Sequence, residues 1–378
     1  MFLDFLVLVL SCLPCIADRE SFASVCTLWR RAAGLSDAPP PAQLPWAIFP
    51  SATAVSTVFS ILSASPRRIY LPTELVGARL CGSHPGAWVA GTGHVSSGGN
   101  VAVNLLSREM LLEGEGPEPW IRQRAEKDVA VRAIAFSDAP NSPDCVAAAI
   151  TEGVYQPSVA MCWLGAQPQH WAVPWTIPAG VQDVVYFEVG GNLKPSFYLI
   201  TNWDALFVAS FVDDTQILVH KCRVQWPTDD MPTLPANVYT SRYLVVSRGH
   251  LLMVRRYYSY SKSDGTHQTM LFRVFELQNQ TLDLSWLELD SLGSRALFLA
   301  RCSSRAFELP ANSEIKPGSI FFLDDITFGK MEIMLFDNLQ ELETYVGNKP
   351  IEVEIKGCIR RFNWEQATKC PTPIWFAH

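Results

Sequence analysis

The sequence predicts a mainly β protein with a small α-helical N-terminal module, and three observations carry that prediction. An apolar stripe at helical spacing, Leu3, Leu6, Leu10 and Leu13, is confined to the N-terminus. From about residue 58 onward the chain breaks into short runs rich in Val, Ile, Phe and Tyr, separated by Gly, Pro, Asn and Asp. Those runs recur in sets at intervals of about 50 residues, the period of propeller blades.

The first element, residues 1–33, admits three readings. The apolar run Phe5–Leu10, continued by Leu13, has the length of a secretory h-region, yet it is preceded by Phe2, Leu3 and Asp4. A leader needs a positive start and a small-residue cleavage site, and neither stands before Asp18-Arg19-Glu20. The run is also too short to span a bilayer. Cys12-Leu13-Pro14-Cys15 has C-x-x-C spacing. A thioredoxin-like thiol pair follows a strand and opens a helix, whereas here helical residues precede it and Pro14 stops them. A zinc site would need a second pair. Two partly buried thiols at a helix end are the simpler account.

The third reading uses more residues. After Pro14, Asp18 has the position of an N-cap with Ser21 three residues on. A second helix then carries Phe22, Val25, Cys26 and Trp29 inward and shows Arg19, Arg30 and Arg31 to water. Helices this short cannot bury enough apolar area to stand alone, so they need a partner or a neighbouring domain.

The next element is a stiff connector, Pro39-Pro40-Pro41 with Pro45 beyond it. The expected organisation is a helical module at 1–36, a proline-rich linker at 37–45 and a β domain at 46–378. Leu44–Pro50 should be extended, packing Trp46 and Phe49. Strands are expected at Val101–Leu106, Val131–Phe136, Cys145–Ile150, Val184–Val189, Phe197–Thr201, Leu206–Phe211, Ile217–Val224 and Leu251–Tyr258. The nearest thing to another helix, Asn338–Tyr345, is short.

Tryptophan-led strands at Trp120, Trp171 and Trp286 each precede two or more hairpin-connected strands, which suggests a kelch-like β-propeller of about five blades. Each small sheet has two apolar faces; stacking blades radially buries both, and closing the ring removes the edges. Closure requires a C-terminal strand, Pro373-Ile374-Trp375-Phe376, to pair near the start of the domain. A sandwich fits periodic strands and turns as well.

Composition narrows the function. Hydrophobic residues at 48% and charged residues at 18% support a sizeable core, and a net charge of −7 argues against nucleic acid as partner. Ten scattered cysteines, several inside strand-like runs, fit a reducing compartment rather than a disulfide framework. Gly91 and Gly93 lack the third glycine or lysine of a phosphate loop. The pairs Asp213-Asp214, Asp229-Asp230 and Asp324-Asp325 read as acidic turns, and the seven histidines are dispersed. No catalytic residue, metal or cofactor is expected. Tyr257, Tyr258 and Tyr260 are candidates for a target-binding surface, their alternative being a strand end with rings on the sheet face. Trp163 and Trp203 are expected in the core.

Asp18, Val25-Cys26 and Trp29-Arg30 resemble the second half of an F-box; where F-boxes open with Leu-Pro and an acidic pair, this chain has Met1-Phe2-Leu3-Asp4. Asp183–Phe187, Ser241–Val245 with Arg248–Val254, Gly318–Asp325 and Pro373–Phe376 resemble landmarks of the plant-specific domain-of-unknown-function family 295, which commonly follows an F-box. The resemblance implies a non-catalytic substrate-receptor subunit of an SCF-type ubiquitin ligase. Leu3, Leu6, Leu10, Leu13, Val25 and Trp29 would form or support the surface for a Skp-type adaptor on its cullin scaffold, and the propeller would bind a protein target. Cytoplasmic or nuclear localisation follows, with no membrane partner. The rival is a binding propeller whose shortened F-box no longer engages the adaptor.

Overall fold

The computed structural model describes residues 2–13, 15–34, 43–51, 53–62, 65–92, 100–112, 130–152, 157–166, 171–173, 180–188, 196–212, 216–226, 238–260, 267–280, 283–310, 313, 315–323, 343–346, 349–352 and 374–376. Three short helices precede a β-propeller, so the mainly β class with an N-terminal helical module holds.

The helices are α1 (Phe2–Ser11), α2 (Ile16–Ser24) and α3 (Thr27–Gly34). Their core is Leu6, Leu10, Phe22 and Ala32, flanked by Leu3, Leu13 and Trp29. The second helix expected from the sequence is two, broken at Val25 and Cys26, both of which are exposed. Asp18 is not the N-cap; Cys15 occupies that position without a side-chain cap, and Asp18 lies in the first turn of α2.

Six blades follow, one more than the sequence suggests. Blade 1 contains β1 (Trp46–Phe49), β2 (Val55–Ser60) and β3 (Ser65–Tyr70). Blade 2 contains β4 (Arg79–His84), β5 (Trp88–Thr92), β6 (Asn100–Asn104) and β7 (Met110–Leu112). Blade 3 is β8 (Ala130–Phe136), β9 (Val146–Glu152), β10 (Pro157–Trp163) and β11 (Trp171–Ala172). Blade 4 is β12 (Val181–Tyr186), β13 (Phe197–Thr201), β14 (Leu206–Phe211) and β15 (Ile217–Lys221). Blade 5 takes β16 (Val224–Gln225) on its outer edge, beside β17 (Val238–Ser247), β18 (His250–Tyr260), β19 (His267–Gln280) and β20 (Asp283–Glu288). Blade 6 is β21 (Arg295–Leu299), β22 (Arg305–Glu308) and β23 (Ile320–Phe322). A separate hairpin joins β24 (Glu343–Val346) to β25 (Lys349–Glu352). Glu343–Tyr345 are therefore strand, where the sequence suggested the end of a short helix; residues 338–342 lie outside the described set.

The chain ends in β26 (Ile374–Phe376), which pairs antiparallel with β1 in the register Trp46↔Phe376, Ala47↔Trp375, Ile48↔Ile374. This is the ring closure the sequence required. The strands nearest the axis are then β26, β4, β8, β12, β17 and β22, each beside the next. Phe298 meets Trp375 edge-on at 5.2 Å across the last seam.

The strand alternation explains why the blades stack. On β9, Ala148 and Ile150 pack towards blade 4 while Ala147 and Ala149 pack towards blade 2. On β13, Phe197 and Leu199 face blade 3 while Tyr198 and Ile200 face blade 5. Side chains two apart share a face, so one apolar strand feeds two interfaces. Six apolar clusters fill the six seams in this way.

A repeated irregularity marks the inner strands. The register shifts between Leu80 and Gly82 in β4, Val131 and Ala133 in β8, and Val181 and Asp183 in β12. A bulge adds one residue and increases local twist, which turns each inner strand as it enters the ring. Gly82 follows the first bulge because the neighbouring inner strand is close; an added Cβ would lie 2.2 Å from the Ile134 carbonyl oxygen.

Candidate functional site

The helical module is the first candidate. Its α2 is seated on the propeller: Cys15 and Ala17 join the cluster of Trp46, Ile48 and Val58, and Cys15 Sγ lies 3.3 Å from Ser60 Oγ. Arg67 of β3 pairs with Asp18 and donates to the Ala17 carbonyl. The neighbouring domain thus supplies part of the burial that three short helices lack. Of the six residues expected at the adaptor surface, Leu6 and Leu10 are buried at 2% exposure, Leu3, Leu13 and Trp29 are half-buried, and Val25 is exposed. Trp29 lies against Phe22, ring centroids 4.4 Å apart. Leu6 and Leu10 therefore support a surface from beneath. The apolar groups that face solvent are Phe5 and Leu8 on α1, Val25, and Leu28 on α3. The sequence missed Phe5, Leu8 and Leu28 because a helix apolar on most sides has no readable outer face; only packing decides which side is left over.

The propeller axis is the second candidate. The C-terminal ends of β4, β8, β12 and β17 and the body of β22 enclose a cavity of about 490 Å³. Ser83, His84, Phe136, Tyr186, Arg305 and Phe307 line it. Arg305 Nη2 donates to the Ser83 carbonyl at 3.1 Å, joining blade 6 to blade 2. Burial pulls the Arg305 pKa down to about 10, which leaves it protonated at neutral pH. Burial also pushes His84 below its usual value, so the imidazole beside it is neutral there. The Tyr186 hydroxyl donates to Glu188 at 2.6 Å.

Beneath this cavity Asp183, fully buried, holds three blades. Its carboxylate accepts from the Val184 amide at 3.0 Å, the Leu244 amide at 2.7 Å and the Cys302 amide at 2.7 Å. Burial pushes its pKa up to about 7 against the pull of those donors. The bulge before Asp183 aims it at the seam, a structural task that two-residue alternation alone does not reveal.

The tyrosine site does not form as expected. Tyr257 and Tyr258 lie inside β18 at 2% and 8% exposure, with Tyr258 stacked on Tyr239 at 5.7 Å, so neither offers a free ring to a target. The continuous strand, rather than a loop, is the reason: its pleat puts both rings against packed neighbours. The side chain of Tyr260 lies outside the described set. Trp203, expected in the core, is 79% exposed in the turn between β13 and β14, whereas Trp163 is half-buried with its indole donating to the Pro143 carbonyl. Cys12 is exposed and Cys15 buried. Gly91 lies within β5 against Leu75 and Ala78, and the three Asp-Asp pairs lie outside the described residues. Among the described residues, no group of three His, Cys, Asp or Glu side chains could hold a metal ion, and no helix is long and apolar enough to cross a membrane.

A ring of six radial sheets closed by its own C-terminal strand defines a β-propeller protein. Residues 58–342 match the family model described as KIB1-4 beta-propeller, well over half of the chain, and the protein belongs to that family. No curated protein matches. Among solved structures, a candidate 6-phosphogluconolactonase from Bacteroides uniformis aligns over 65% of this chain and 82% of its own, at 11% identity and TM-score 0.32. Apo AztD from Citrobacter koseri aligns over 71% and 90%, at 10% identity and TM-score 0.27.

Proposed function

We propose that the chain is the substrate-receptor subunit of an SCF-type E3 ubiquitin ligase. In this reading α1–α3 dock on a Skp-type adaptor and its cullin scaffold, and the propeller holds a protein target, in the cytoplasm or nucleus. The observation that carries it is the apolar set Phe5, Leu8, Val25 and Leu28, left in solvent by a module whose own core is already filled. Exposed apolar groups of this kind mark an interaction surface. The same segment carries Asp18, Val25-Cys26 and Trp29-Arg30 at F-box spacing, and the landmarks resembling family 295 follow in order.

The chain forms and breaks no bond in this role. It raises the effective concentration of a target lysine near the conjugating enzyme, which is a proximity effect. On the target side, Trp203 replaces the buried tyrosines as the residue to test, because an exposed tryptophan supplies large contact area and is enriched at binding hot spots.

Co-purification with a plant Skp-type adaptor tests the reading. Burying one such side chain is worth about 1.5–3 kcal/mol, against the ~8 kcal/mol of a micromolar complex. Wild type should co-elute with adaptor on gel filtration, and Leu8→Asp, which changes an exposed position, should not. Wild type eluting without adaptor sinks the ligase reading.

One observation favours the rival, a binding propeller without ligase attachment. Because α2 is built into blade 1 through Cys15, Ala17 and Asp18, the helices also serve as a cap on the ring. The rival predicts no adaptor complex but a loss of propeller stability when the Asp18–Arg67 pair is removed.

A further inference from the structure

Two residues that line the axial cavity carry a polar atom without a partner among the described residues. Arg305 Nε and Ser303 Oγ are both buried, both belong to cavity-lining residues, and neither has a hydrogen-bond partner among the described residues. Leaving a buried donor unpaired costs about 1–3 kcal/mol, more when it is charged, so orphaned groups in a native cavity call for a partner. Ser303 lies in the turn from β21 into β22, and Arg305 opens β22, the innermost strand of blade 6.

The charge balance around them is specific. Arg305 is half-buried and lines the cavity. It donates to a neutral oxygen, the Ser83 carbonyl, and no salt bridge to an acidic side chain compensates it among the described residues. Of the nearby acids, Asp138 and Glu188 are exposed and engaged by the Ala139 amide and the Tyr186 hydroxyl, and the buried Asp183 is held by the Val184, Leu244 and Cys302 amides. His84 adds no second charge at neutral pH. The site therefore offers one positive charge, with an unpartnered Nε–H and an unpartnered hydroxyl buried in the residues of its wall. The remaining wall is apolar, with Phe136, Val185, Val246 and Phe307.

We propose that the axial cavity binds a small organic monocarboxylate, its acid group on Arg305 and Ser303 and its apolar body against Phe136 and Phe307. A cavity of about 490 Å³ is the size that takes a small ligand. The guanidinium edge matches a planar carboxylate, and a single cation balances a single negative charge, whereas a phosphate dianion would stay half-compensated. This ligand site is independent of the adaptor surface and stands or falls separately from the ligase reading.

Isothermal titration of the full chain at constant ionic strength tests it, with benzoate, hexanoate, benzamide and inorganic phosphate as probes. One or both carboxylates should bind wild type with a Kd on the order of 1 mM, and benzamide at least about tenfold more weakly, because it lacks the charge. Arg305→Gln should weaken carboxylate binding at least about tenfold, and Ser303→Ala about threefold, as expected for one charged and one neutral hydrogen bond. Equal binding of benzoate and benzamide would show an apolar sink without an anion site. Unchanged binding by a folded Arg305→Gln would place the carboxylate elsewhere. No response to either carboxylate, or a response to phosphate alone, also overturns the assignment. Should Arg305→Gln fail to fold, the contrast between benzoate and benzamide on wild type and the Ser303→Ala titration decide the matter.

Discussion

Asp204 holds two guanidiniums at once. It sits at φ +60° in the turn between β13 and β14, accepts from Arg242 Nη2 at 2.9 Å and from Arg255 Nε at 3.0 Å, and so ties a turn of blade 4 to two strands of blade 5. Arg255 also lies over the Trp226 ring at 4.2 Å. Both arginine side chains are under 10% exposed. Removing the shared acid leaves buried cations without compensation, and Asp204→Ala should cost about 3–5 kcal/mol. The measurement is a urea transition, whose midpoint should fall with little change in slope. A shift under 1 kcal/mol would mean water already satisfies the pair. None of this network is legible in the sequence, because Arg242 and Arg255 are 38 and 51 residues away from Asp204. Residue type was misleading for Trp203, expected inside and exposed in the fold, whereas Tyr257 and Tyr258 take the alternative reading of rings packed on a sheet face. A lone tryptophan beside Asn202 and Asp204 sits in turn-forming company, a signal stronger than its hydrophobicity. Three tyrosines in four positions continue a strand.

At the scale of elements, the sequence was most informative where one local rule acts alone. The helix over the apolar stripe ends at Ser11, before Pro14 in the sequence, the alternating runs became strands, and Trp46 and Phe49 lie in an extended segment. It was least informative about where one unit stops. Trp171 and Trp286 read from spacing as the openings of their sets, yet β11 and β20 pair back onto β10 and β19 and belong to the preceding blades. The last strand of one blade and the first of the next are neighbours in sequence, and periodicity alone does not show the cut. Shifting it separates blade 5 from its neighbours and gives six. The closing strand β26 was legible because closure is a topological need, and its weight can be measured. Trp375 is 3% exposed, donates its indole N–H to the Leu299 carbonyl at 3.0 Å, and accepts at its carbonyl from Ser83. Trp375→Ala should cost about 3–5 kcal/mol, seen as a lower thermal midpoint. An unchanged midpoint would show that closure contributes little to stability.

At the scale of the whole molecule, a ring of six blades buries both faces of nearly every sheet and leaves function to what the ring does not use. Among the described residues two such places stand out beside Trp203: the axis, where Arg305 Nε and Ser303 Oγ lack partners, and the helical module, where Phe5, Leu8, Val25 and Leu28 lack cover. The apolar stripe Leu3, Leu6, Leu10 and Leu13 made a helical module legible in the sequence. The exposed members on α1 and α3 were not, since only the packing of Leu6 and Leu10 inward reveals which face is outward. The axial site was invisible in sequence because its residues come from five strands spread over more than 200 positions. Amide hydrogen exchange of the full chain, with and without a Skp-type adaptor, tests the central claim most directly. Binding should slow exchange in α1 and α3 while leaving β8–β10, remote from the module, unchanged. Identical exchange in α1 and α3 with and without adaptor would contradict it.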